Sequence, residues 1–479
     1  MSQVRVRIAP SPTGMPHIGT IFQALINYAF AIQNNGKFIV RIEDTDQARI
    51  VKGAEKALFD SLDWFGLTPS ESPKHHGNFG PYRQSEKLDI YKKYAHQLIK
   101  DNKAYFCFCS PKRLNRVRKD MQKQGKPPMY DKKCSNLDPK EATSRAKSQP
   151  HVIRMKILYD KPIITLHDDI RGDINFDKHI IDDQVILKSD GFPTYHLAVV
   201  VDDHEMKITH VVRGEEWISS TPKHVLLYQY FGWDVPSFIH TPLLRNPDRS
   251  KLSKRHGHSS VSWYQQQGYL PEAVLNFLAT RVWNHPNDLE IFGIDEFIKH
   301  FSFQKMHIQG PIVDLDKLNW INGQWIRKKP DTDLIKDLQA FRPNNLSKEK
   351  LTQILPLIKE RLETLSQLKD LTSYFISEPK IDPQLLLKEA KVDKPATADY
   401  IIQVSKALEA VDNWSVKTLE TSLRNFQKQS SWKPRPAFMT IRIAITGRTT
   451  TPPLFDTMQI LGKDKVLFRL SHAQKILKV

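Results

Sequence analysis

The chain has 479 residues, 40% hydrophobic and 26% charged, a composition typical of a globular protein of about three or four domains. Its 71 Lys and Arg against 53 Asp and Glu give a net charge of +18, which indicates a polyanionic partner unless it only reflects a lysine-rich composition. No apolar run reaches membrane-spanning length, and a strand predicted from residue 4 leaves no room for a signal or transit peptide.

The first fifty residues predict a β-α-β unit. Apolar residues alternate with arginines over residues 4–8, which predicts a strand. Apolar residues then recur at helical spacing over residues 18–29, and a second apolar strand is predicted over residues 38–42. The two strands are expected to be parallel, and ligands bind at the carboxyl ends of such strands.

Three polar side chains fall at that edge: Arg7, His17 and Glu43. The free N–H groups of the helix start near His17 favour phosphate oxygens, and Gly19 lets a nucleotide approach the backbone. Neither GxxxxGK[ST] nor GxGxxG occurs, so a P-loop or dinucleotide site is not indicated. The alternative is a helix-capping histidine beside a packing glycine.

A basic segment follows. Residues 112–147 hold twelve Lys and Arg against four Asp and Glu, a net charge of +8. This excess favours contact with a phosphate backbone, and the alternative is a solvated, flexible loop. The segment splits the predicted sheet, because a strand-like run resumes at residues 184–187.

The cysteines are Cys107, Cys109 and Cys134, all within 28 residues. An odd, clustered set argues against a disulfide framework. Cys-x-Cys with a distal cysteine suggests zinc, which takes about four ligands.

Further apolar segments complete the predicted sheet. Residues 191–204 (GFPTYHLAVVVDDH) are predicted to run from a turn into a buried strand, and residues 208–217 (ITHVVRGEEW) form a strand that ends in charges. Continuous apolar runs suit a parallel sheet covered on both faces. Thr221-Pro222 then opens a helix.

The carboxyl-terminal part is predicted to be helical. A helix begins near Pro271, apolar residues form a helical core stripe over 351–368, and residues 398–408 and 416–426 predict two more helices.

Two distant segments carry a family resemblance. Residues 7–20 (RIAPSPTGMPHIGT) resemble the HIGH signature of class I aminoacyl-tRNA synthetases in its glutamyl form, and residues 251–255 (KLSKR) resemble the KMSKS signature of that class. Residues 191–204 and 208–217 also resemble glutamyl-tRNA synthetases. The order and spacing of the pair make the resemblance a strong one, and the helical carboxyl-terminal half favours the bacterial type of the glutamyl family.

The resemblance implies site residues. A substrate carboxylate suits a guanidinium, and a substrate ammonium suits a carboxylate. The implied glutamate ligands are Arg7, Ala9, Ser11, Glu43, Tyr195 and Arg213. The implied ATP ligands are His17, Gly19, Thr20, Glu216, Leu244, Lys251 and Lys254, of which His17, Gly19, Lys251 and Lys254 are catalytic. For Arg213 the alternative is a salt bridge to Glu215 or Asp202, and Val199 replaces an Asn found in one relative.

The resemblance also implies tRNA contacts and a metal. Arg113, Arg116 and Arg118 would touch the acceptor end of the tRNA. Arg361 aligns loosely with a position that senses the third anticodon base, which leans toward strict tRNA-Glu specificity, or it is an ordinary surface arginine. The implied zinc ligands are Cys107, Cys109, Tyr130 and Cys134. Asn136 stands where some relatives have a His ligand, so a zinc site and a lost site both remain open.

The implied fold class is α/β plus all-α. A Rossmann-like class I catalytic domain carries an inserted α+β subdomain and is followed by helical stem-contact and all-α anticodon-binding domains, where glutaminyl enzymes usually carry a β-barrel. The expected boundaries are 1–105 and 184–257 for the catalytic halves, 106–183 for the insertion, 258–330 for the stem-contact domain and 331–479 for the anticodon-binding domain.

The implied function is glutamate–tRNA ligation. Glutamate is activated with ATP and Mg²⁺ to glutamyl-adenylate and transferred to the 3′ end of tRNA-Glu, by a cytoplasmic monomer without membrane contact. The alternatives are an enzyme that also charges tRNA-Gln and a non-catalytic tRNA-binding paralogue. Charge alone would fit a structural nucleic-acid binder, which leaves His17, Glu43 and Lys254 unexplained.

Overall fold

The computed structural model describes residues 3–250, 252 and 257–478. The chain divides into two compact units, Met1–Tyr264 with Pro271–Leu315, and Gln265–Leu270 with Asp316–Val479. The strands are β1 (Arg5–Ile8), β2 (Lys37–Val40), β3 (Ala104–Cys107), β4 (Val152–Met155), β5 (Ile163–Asp168), β6 (Gly172–Asp177), β7 (Val185–Leu187), β8 (His210–Gly214) and β9 (Ser237–Thr241).

The helices follow in chain order. They are α1 (Ile18–Gln33), α2 (Ala54–Trp64), α3 (Leu88–Lys100), α4 (Pro111–Lys123), α5 (Pro139–Ala146), α6 (Tyr195–Glu205), α7 (Thr221–Phe231), α8 (Val261–Gln267), α9 (Pro271–Thr280), α10 (Ile294–His300), α11 (Leu315–Lys328), α12 (Asp331–Leu338), α13 (Lys348–Ile358), α14 (Leu368–Ile376), α15 (Pro383–Ala390), α16 (Lys394–Glu409), α17 (Val416–Gln429), α18 (Pro434–Thr446), α19 (Leu454–Leu461) and α20 (Lys463–Lys478). None of the described helices is long and apolar enough to cross a bilayer.

The predicted β-α-β unit is confirmed. β1 pairs in parallel with β2, from Arg5 opposite Lys37 to Ile8 opposite Val40, and α1 connects them. The apolar stripe of α1 is buried. The N–H of Thr209 donates to the carbonyl of Arg5 at 3.0 Å, which places the start of β8 beside β1.

Two further sheets belong to the first unit. One has the order β6-β5-β9-β8, in which β8 and β9 run parallel and β5 and β6 form an antiparallel hairpin. The other is the antiparallel sheet β3-β4-β7, with α4 and α5 in the connection between β3 and β4. The basic segment of the sequence therefore forms helices attached to this small sheet.

The strand predicted within residues 191–204 is wrong. Residues Tyr195–Glu205 form α6, and Leu197 to Val201 are almost fully buried. A helix that is apolar all round shows no 3.6-residue periodicity, so its sequence reads like a buried strand. The strand over residues 208–217 and the helix opened by Thr221 are confirmed as β8 and α7.

The second unit is helical throughout its described residues. The stripe over residues 351–368 is buried, as predicted, but it does not form one helix. α13 ends at Ile358, and two single 3-10 turns, Lys359–Arg361 and Leu365–Gln367, precede α14. Thr364 and Gln367 form a capping box that starts a new helical segment at that point.

Candidate active site

A pocket of about 570 Å³ opens where the ends of β1 and β8 meet the start of α1. This volume lies in the range of small-molecule sites. The lining residues are Arg7, Ile8, Ala9, Pro10, His17, Gly19, Thr20, Phe22, Gln23, Glu43, Tyr195, Val212, Arg213, Gly214, Glu216, Trp217, Leu243, Leu244 and Leu252.

Ten of the predicted site residues share this pocket. They are Arg7, Ala9, His17, Gly19, Thr20, Glu43, Tyr195, Arg213, Glu216 and Leu244. Ser11 is exposed and lines a neighbouring cavity of about 180 Å³ together with His17 and Thr20. Lys251 and Lys254 lie outside the described residues, but Leu252 between them lines the main pocket.

The start of α1 has the geometry of an anion site. His17 is the N-cap, and its Nδ1 accepts a hydrogen bond from the N–H of Gly19 at 3.0 Å. A Cβ on residue 19 would lie 3.1 Å from that Nδ1, so glycine leaves room for the ring. His17 is thus a capping histidine, as in the alternative interpretation, and it also faces the pocket. The helix start therefore offers positive dipole at the pocket wall.

Leu252 and two residues that follow the KLSKR segment approach this wall. The N–H of Leu252 donates to the carbonyl of Leu244 at 3.4 Å, and both leucines line the pocket. The N–H of Val261 donates to the carbonyl of Pro16 at 3.2 Å, and Ser260 forms a backbone bridge with His17. Leu252, Ser260 and Val261 therefore lie near the HIGH-like segment.

Arg213 presents a buried positive charge to the pocket. Its guanidinium donates to the Tyr195 hydroxyl at 3.1 Å, to Thr221 Oγ1 at 2.7 Å, and to one ring nitrogen each of His224 and His240 at 3.2 Å. Among the described residues no carboxylate lies within ion-pair distance of it. The alternative salt bridge is therefore not formed. Burial lowers the pKa of Arg213.

The carboxylates named for that salt bridge have other partners. Glu215 pairs with Arg171 at 2.7 Å and with Arg245 at 3.3 Å. Asp202 is fully buried and accepts a hydrogen bond from Lys87 at 2.6 Å. Arg213 is consequently left with neutral neighbours.

Arg7 is held differently, because it has a carboxylate partner inside the protein. Its Nε and Nη2 donate to the two oxygens of Asp203, each at 3.0 Å. Arg41, also buried, donates to Asp203 at 2.7 Å. Nη1 of Arg7 makes no hydrogen bond to any described residue, and Arg7 lines the pocket. One edge of its guanidinium thus remains for a ligand.

Glu43 supplies the negative wall of the pocket. Arg41 Nη2 donates to its Oε1 at 3.3 Å, and only 11% of the side chain is exposed. Burial raises the pKa of Glu43 from 4.5 to about 7, and the charges of Arg41 and Arg7 limit the rise. The ionised form of this buried carboxylate is stabilised by any cation that enters the pocket.

Sequence reasoning missed several residues of this site. Asp203 lies at the end of the apolar run that forms α6, and a carboxylate after a buried run was the available signal. His224, His240 and Thr221 were not predicted as site residues, because nothing local distinguishes them from the other polar residues of α7 and β9. Thr221 was recognised only as the start of a helix. Trp217, which packs on Tyr195 with ring centroids 4.4 Å apart, is a further lining residue.

The four predicted zinc ligands form one cluster. The Sγ atoms of Cys107, Cys109 and Cys134 lie within 4.8 Å of one another. The Tyr130 hydroxyl lies 3.4 Å from Cys107 Sγ and 3.3 Å from Cys109 Sγ. Three sulfurs and one phenol oxygen at a single point suit the ligand number and softness of zinc.

The predicted tRNA contacts lie elsewhere in the chain. On α4, Arg116 and Arg118 are exposed, whereas Arg113 pairs with Asp131 and donates to Cys109 Sγ at 3.3 Å. In the second unit Arg361 is exposed in a 3-10 turn.

The comparisons with known proteins match this architecture. Residues 3–320 match the family model described as tRNA synthetases class I (E and Q), catalytic domain, and residues 333–474 match an anticodon binding domain. Matches of this extent define a class I aminoacyl-tRNA synthetase, which confirms the predicted resemblance and fold class.

Relatives that match along the full chain show which class I synthetase family this is. The chain is 45% identical to a glutamate–tRNA ligase from Acidothermus cellulolyticus, over 99% of this chain and 96% of that protein, and 44% identical to one from Marinomonas sp., over 100% and 96%. The crystal structure of a glutamate tRNA ligase from Elizabethkingia meningosepticum in complex with its amino acid superposes with a TM-score of 0.91 at 35% identity, covering 99% of this chain and 100% of that one. The chain belongs to the glutamate–tRNA ligase family.

Proposed function

We propose that the protein attaches L-glutamate to tRNA-Glu in two steps at the pocket described above. In the first step an oxygen of the glutamate α-carboxylate attacks the α-phosphorus of ATP, the bond to the β-phosphate breaks and pyrophosphate leaves. In the second step a hydroxyl of the tRNA 3′ end attacks the adenylate carbonyl, and AMP leaves while the hydroxyl loses its proton.

The observation that carries this proposal is the charge pattern of one pocket. Arg213 and the free edge of Arg7 suit the side-chain carboxylate of glutamate, and Glu43 suits its ammonium group. His17 and the N–H groups of α1 suit the phosphates of ATP. Tyr195 adds a hydroxyl donor, and Ala9 leaves space for the substrate.

Magnesium and the lysines complete the expected chemistry. Mg²⁺ is held chiefly by phosphate oxygens and water, so it needs few protein ligands, and it neutralises phosphate charge. Lys251 and Lys254 supply further cations to the same phosphates. The proposal places the enzyme in the cytoplasm, where charged tRNA is used, and takes it as a monomer like the family it resembles. The domain boundaries given above remain part of the proposal.

Aminoacylation with purified tRNA-Glu and tRNA-Gln in parallel tests the function. Charging of tRNA-Glu alone supports the proposal and the stricter specificity suggested by Arg361. Charging of both tRNAs supports the chemistry and overturns the strict specificity. Charging of neither, with no glutamate-dependent pyrophosphate exchange, overturns the proposal and favours a non-catalytic tRNA-binding protein.

The pKa of Glu43 predicts how glutamate affinity depends on pH. Since this pKa is raised to about 7, Glu43 is ionised above that pH and neutral below it. Its attraction for the substrate ammonium is thus lost as the pH falls. We expect KM for glutamate to be about tenfold higher at pH 6 than at pH 8. Steady-state pyrophosphate exchange across this range measures it.

A Glu43→Gln variant is the control for this pH profile. It should show a high KM for glutamate that no longer changes between pH 6 and pH 8. A flat profile in the unaltered enzyme would contradict the assignment of Glu43.

We further propose that Cys107, Cys109, Tyr130 and Cys134 bind one zinc ion. Purified protein should then contain about one zinc per chain, and Tyr130→Phe should lose zinc to a chelator faster than the unaltered protein, because it lacks the fourth ligand. Elemental analysis measures the zinc content before and after chelator treatment, and thiol titration measures how many cysteines are free. Absence of zinc together with three freely titrating thiols would contradict the site.

The exposed arginines of α4 are proposed to contact the tRNA backbone. The double change Arg116→Glu and Arg118→Glu should weaken tRNA-Glu binding about tenfold or more at moderate salt, with KM for ATP unchanged, because two phosphate contacts become repulsive. Arg113 is left intact, since it holds Asp131. Charge reversal at the exposed Lys52 and Lys56 is the matched control, and equal tRNA affinity in both variants would refute the contact.

A further inference from the structure

The side chains that accept hydrogen bonds from Arg213 are all neutral. Its four acceptors are His240 Nε2, His224 Nδ1, Thr221 Oγ1 and the Tyr195 hydroxyl. Burying a cation without a counter-charge is costly unless hydrogen bonds hold it in place. The arrangement holds the guanidinium and leaves its charge uncompensated.

The geometry fixes the tautomer of His240. A guanidinium only donates, so the ring nitrogen that faces Arg213 Nε at 3.2 Å must be an acceptor. The proton of the neutral ring is then on Nδ1, which donates to Asp168 Oδ2 at 2.7 Å. Burial lowers the pKa of His240, which favours the neutral ring.

Asp168, the last residue of β5, is itself held by several hydrogen bonds. Its Oδ2 accepts the backbone N–H of His240 at 3.0 Å, and its Oδ1 accepts the N–H groups of Ile170 and Arg171, each at 3.1 Å. The side chains of Asp168 and His240 are both fully buried. The carboxylate therefore orients the imidazole without touching Arg213.

A second histidine repeats this arrangement. Nδ1 of His224 accepts from Arg213 at 3.2 Å, so its proton is on Nε2, which faces His196 Nδ1 at 3.1 Å. Burial and the charge of Arg213 lower the pKa of His224 well below its usual value. Neither imidazole near Arg213 is positioned to carry charge.

The contrast with Arg7 shows what this arrangement achieves. Asp203 binds Arg7 directly and neutralises it. Asp168 reaches Arg213 only through a neutral ring, so the full positive charge of Arg213 remains for a ligand carboxylate. The side-chain carboxylate of glutamate would form an ion pair with Arg213, whereas the side-chain amide of glutamine would leave this buried cation without a counter-charge.

We propose that Asp168 and His240 are positioning residues that act through Arg213 to set the preference for glutamate over glutamine. The proposal rests on the proposed function and deepens it. Neither residue is expected to touch the substrate, because neither lines the pocket. Their effect should thus appear in amino-acid selection and not in the handling of ATP.

The test is Asp168→Asn in glutamate-dependent pyrophosphate exchange. Two backbone N–H groups face Oδ1 and one, from His240, faces Oδ2, so the amide oxygen should stay on the Oδ1 side and the amide NH₂ should face His240. The ring proton would then move to Nε2 and oppose Arg213, as a wrong tautomer does elsewhere. We expect KM for glutamate to rise about tenfold or more and the glutamate-to-glutamine ratio of kcat/KM to fall about tenfold, with kcat and KM for ATP within about twofold.

Two further variants separate positioning from general damage. Asp168→Asn with His240→Gln replaces the ring by an amide whose oxygen can accept from Arg213, so selectivity should recover relative to Asp168→Asn alone. Asp169→Asn removes the adjacent carboxylate, which makes no hydrogen bond to His240, and should leave selectivity within twofold. If Asp168→Asn does not fold, the variants His240→Leu and His240→Gln can be compared instead. Only the leucine variant, which offers Arg213 no acceptor, should lose selectivity.

Each outcome decides the proposal. Unchanged selectivity in Asp168→Asn, or an equal loss in KM for ATP and kcat without rescue, overturns it. All exchange assays contain tRNA-Glu, because the resembled enzymes usually need tRNA for the activation step. If the unaltered enzyme fails to exchange pyrophosphate with glutamate under these conditions, the proposed function has failed and not this inference. The proposal is supported if Asp168→Asn loses selectivity, the double variant restores it and Asp169→Asn keeps it.

Discussion

Replacing Arg213 by methionine is expected to lower kcat/KM for glutamate about 1,000-fold, while KM for ATP stays within about twofold. The guanidinium is buried and has no carboxylate partner among the described residues, so a bound substrate carboxylate would supply its missing counter-charge. Truncating one partner of a buried charge pair costs roughly 2–5 kcal/mol, and 1,000-fold corresponds to about 4 kcal/mol. Pyrophosphate exchange with varied glutamate measures the loss.

Two comparisons make the Arg213 result specific. Arg213→Lys keeps the charge but not the planar fork, so it should recover only part of the activity. Activity with glutamine, which has no side-chain charge, should fall far less than activity with glutamate. An equal loss for both amino acids, or a melting temperature that drops sharply, would indicate a structural role for Arg213.

Lys254→Ala is expected to slow glutamate activation roughly 100-fold or more. In-line attack on the α-phosphate builds charge on phosphate oxygens, and a positioned cation stabilises it. Lys254 lies outside the described residues, and the role assigned to it rests on its match to the family signature. Of the described residues around it, Leu252 lines the pocket and residues 260–261 contact the chain at the start of α1. Single-turnover formation of glutamyl-adenylate measures the effect.

An exposed lysine that does not line the pocket serves as the control for Lys254. Lys56→Ala removes the same charge from an exposed position on α2 and should leave activation unchanged. An activation rate for Lys254→Ala within threefold of the unaltered enzyme would refute the role of Lys254.

Local patterns predicted the elements that carry the signature segments. Alternation, helical spacing and a continuous apolar run placed β1, the start of α1 and β2 within two residues of their observed bounds. The apolar pattern of α1 stops at residue 29, four residues before the observed end at Gln33. The same patterns placed β8 and the start of α7. They failed for α6, because a helix buried on every side carries no periodic signal.

The sequence predicted many residues that line the pocket, but not the residues that hold those side chains in place. Motif resemblance predicted that Arg7, Glu43, Tyr195 and Arg213 belong to one site, and these four residues line the same pocket. It said nothing of Asp203, which lies 196 residues from its partner Arg7, or of His224 and His240, which lie 11 and 27 residues from their partner Arg213. Long-range hydrogen bonds between buried groups leave no trace in local composition.

The sequence by itself determined the class of enzyme, the β-α-β frame and the identity of the charged residues at its edge, because these depend on short spacings and residue chemistry. Only the tertiary structure decided which charges remain for a ligand. Asp203 neutralises Arg7 from α6, while Asp168 reaches Arg213 only through the neutral ring of His240. Charge compensation depends on distances between buried groups, and only the folded chain sets those distances.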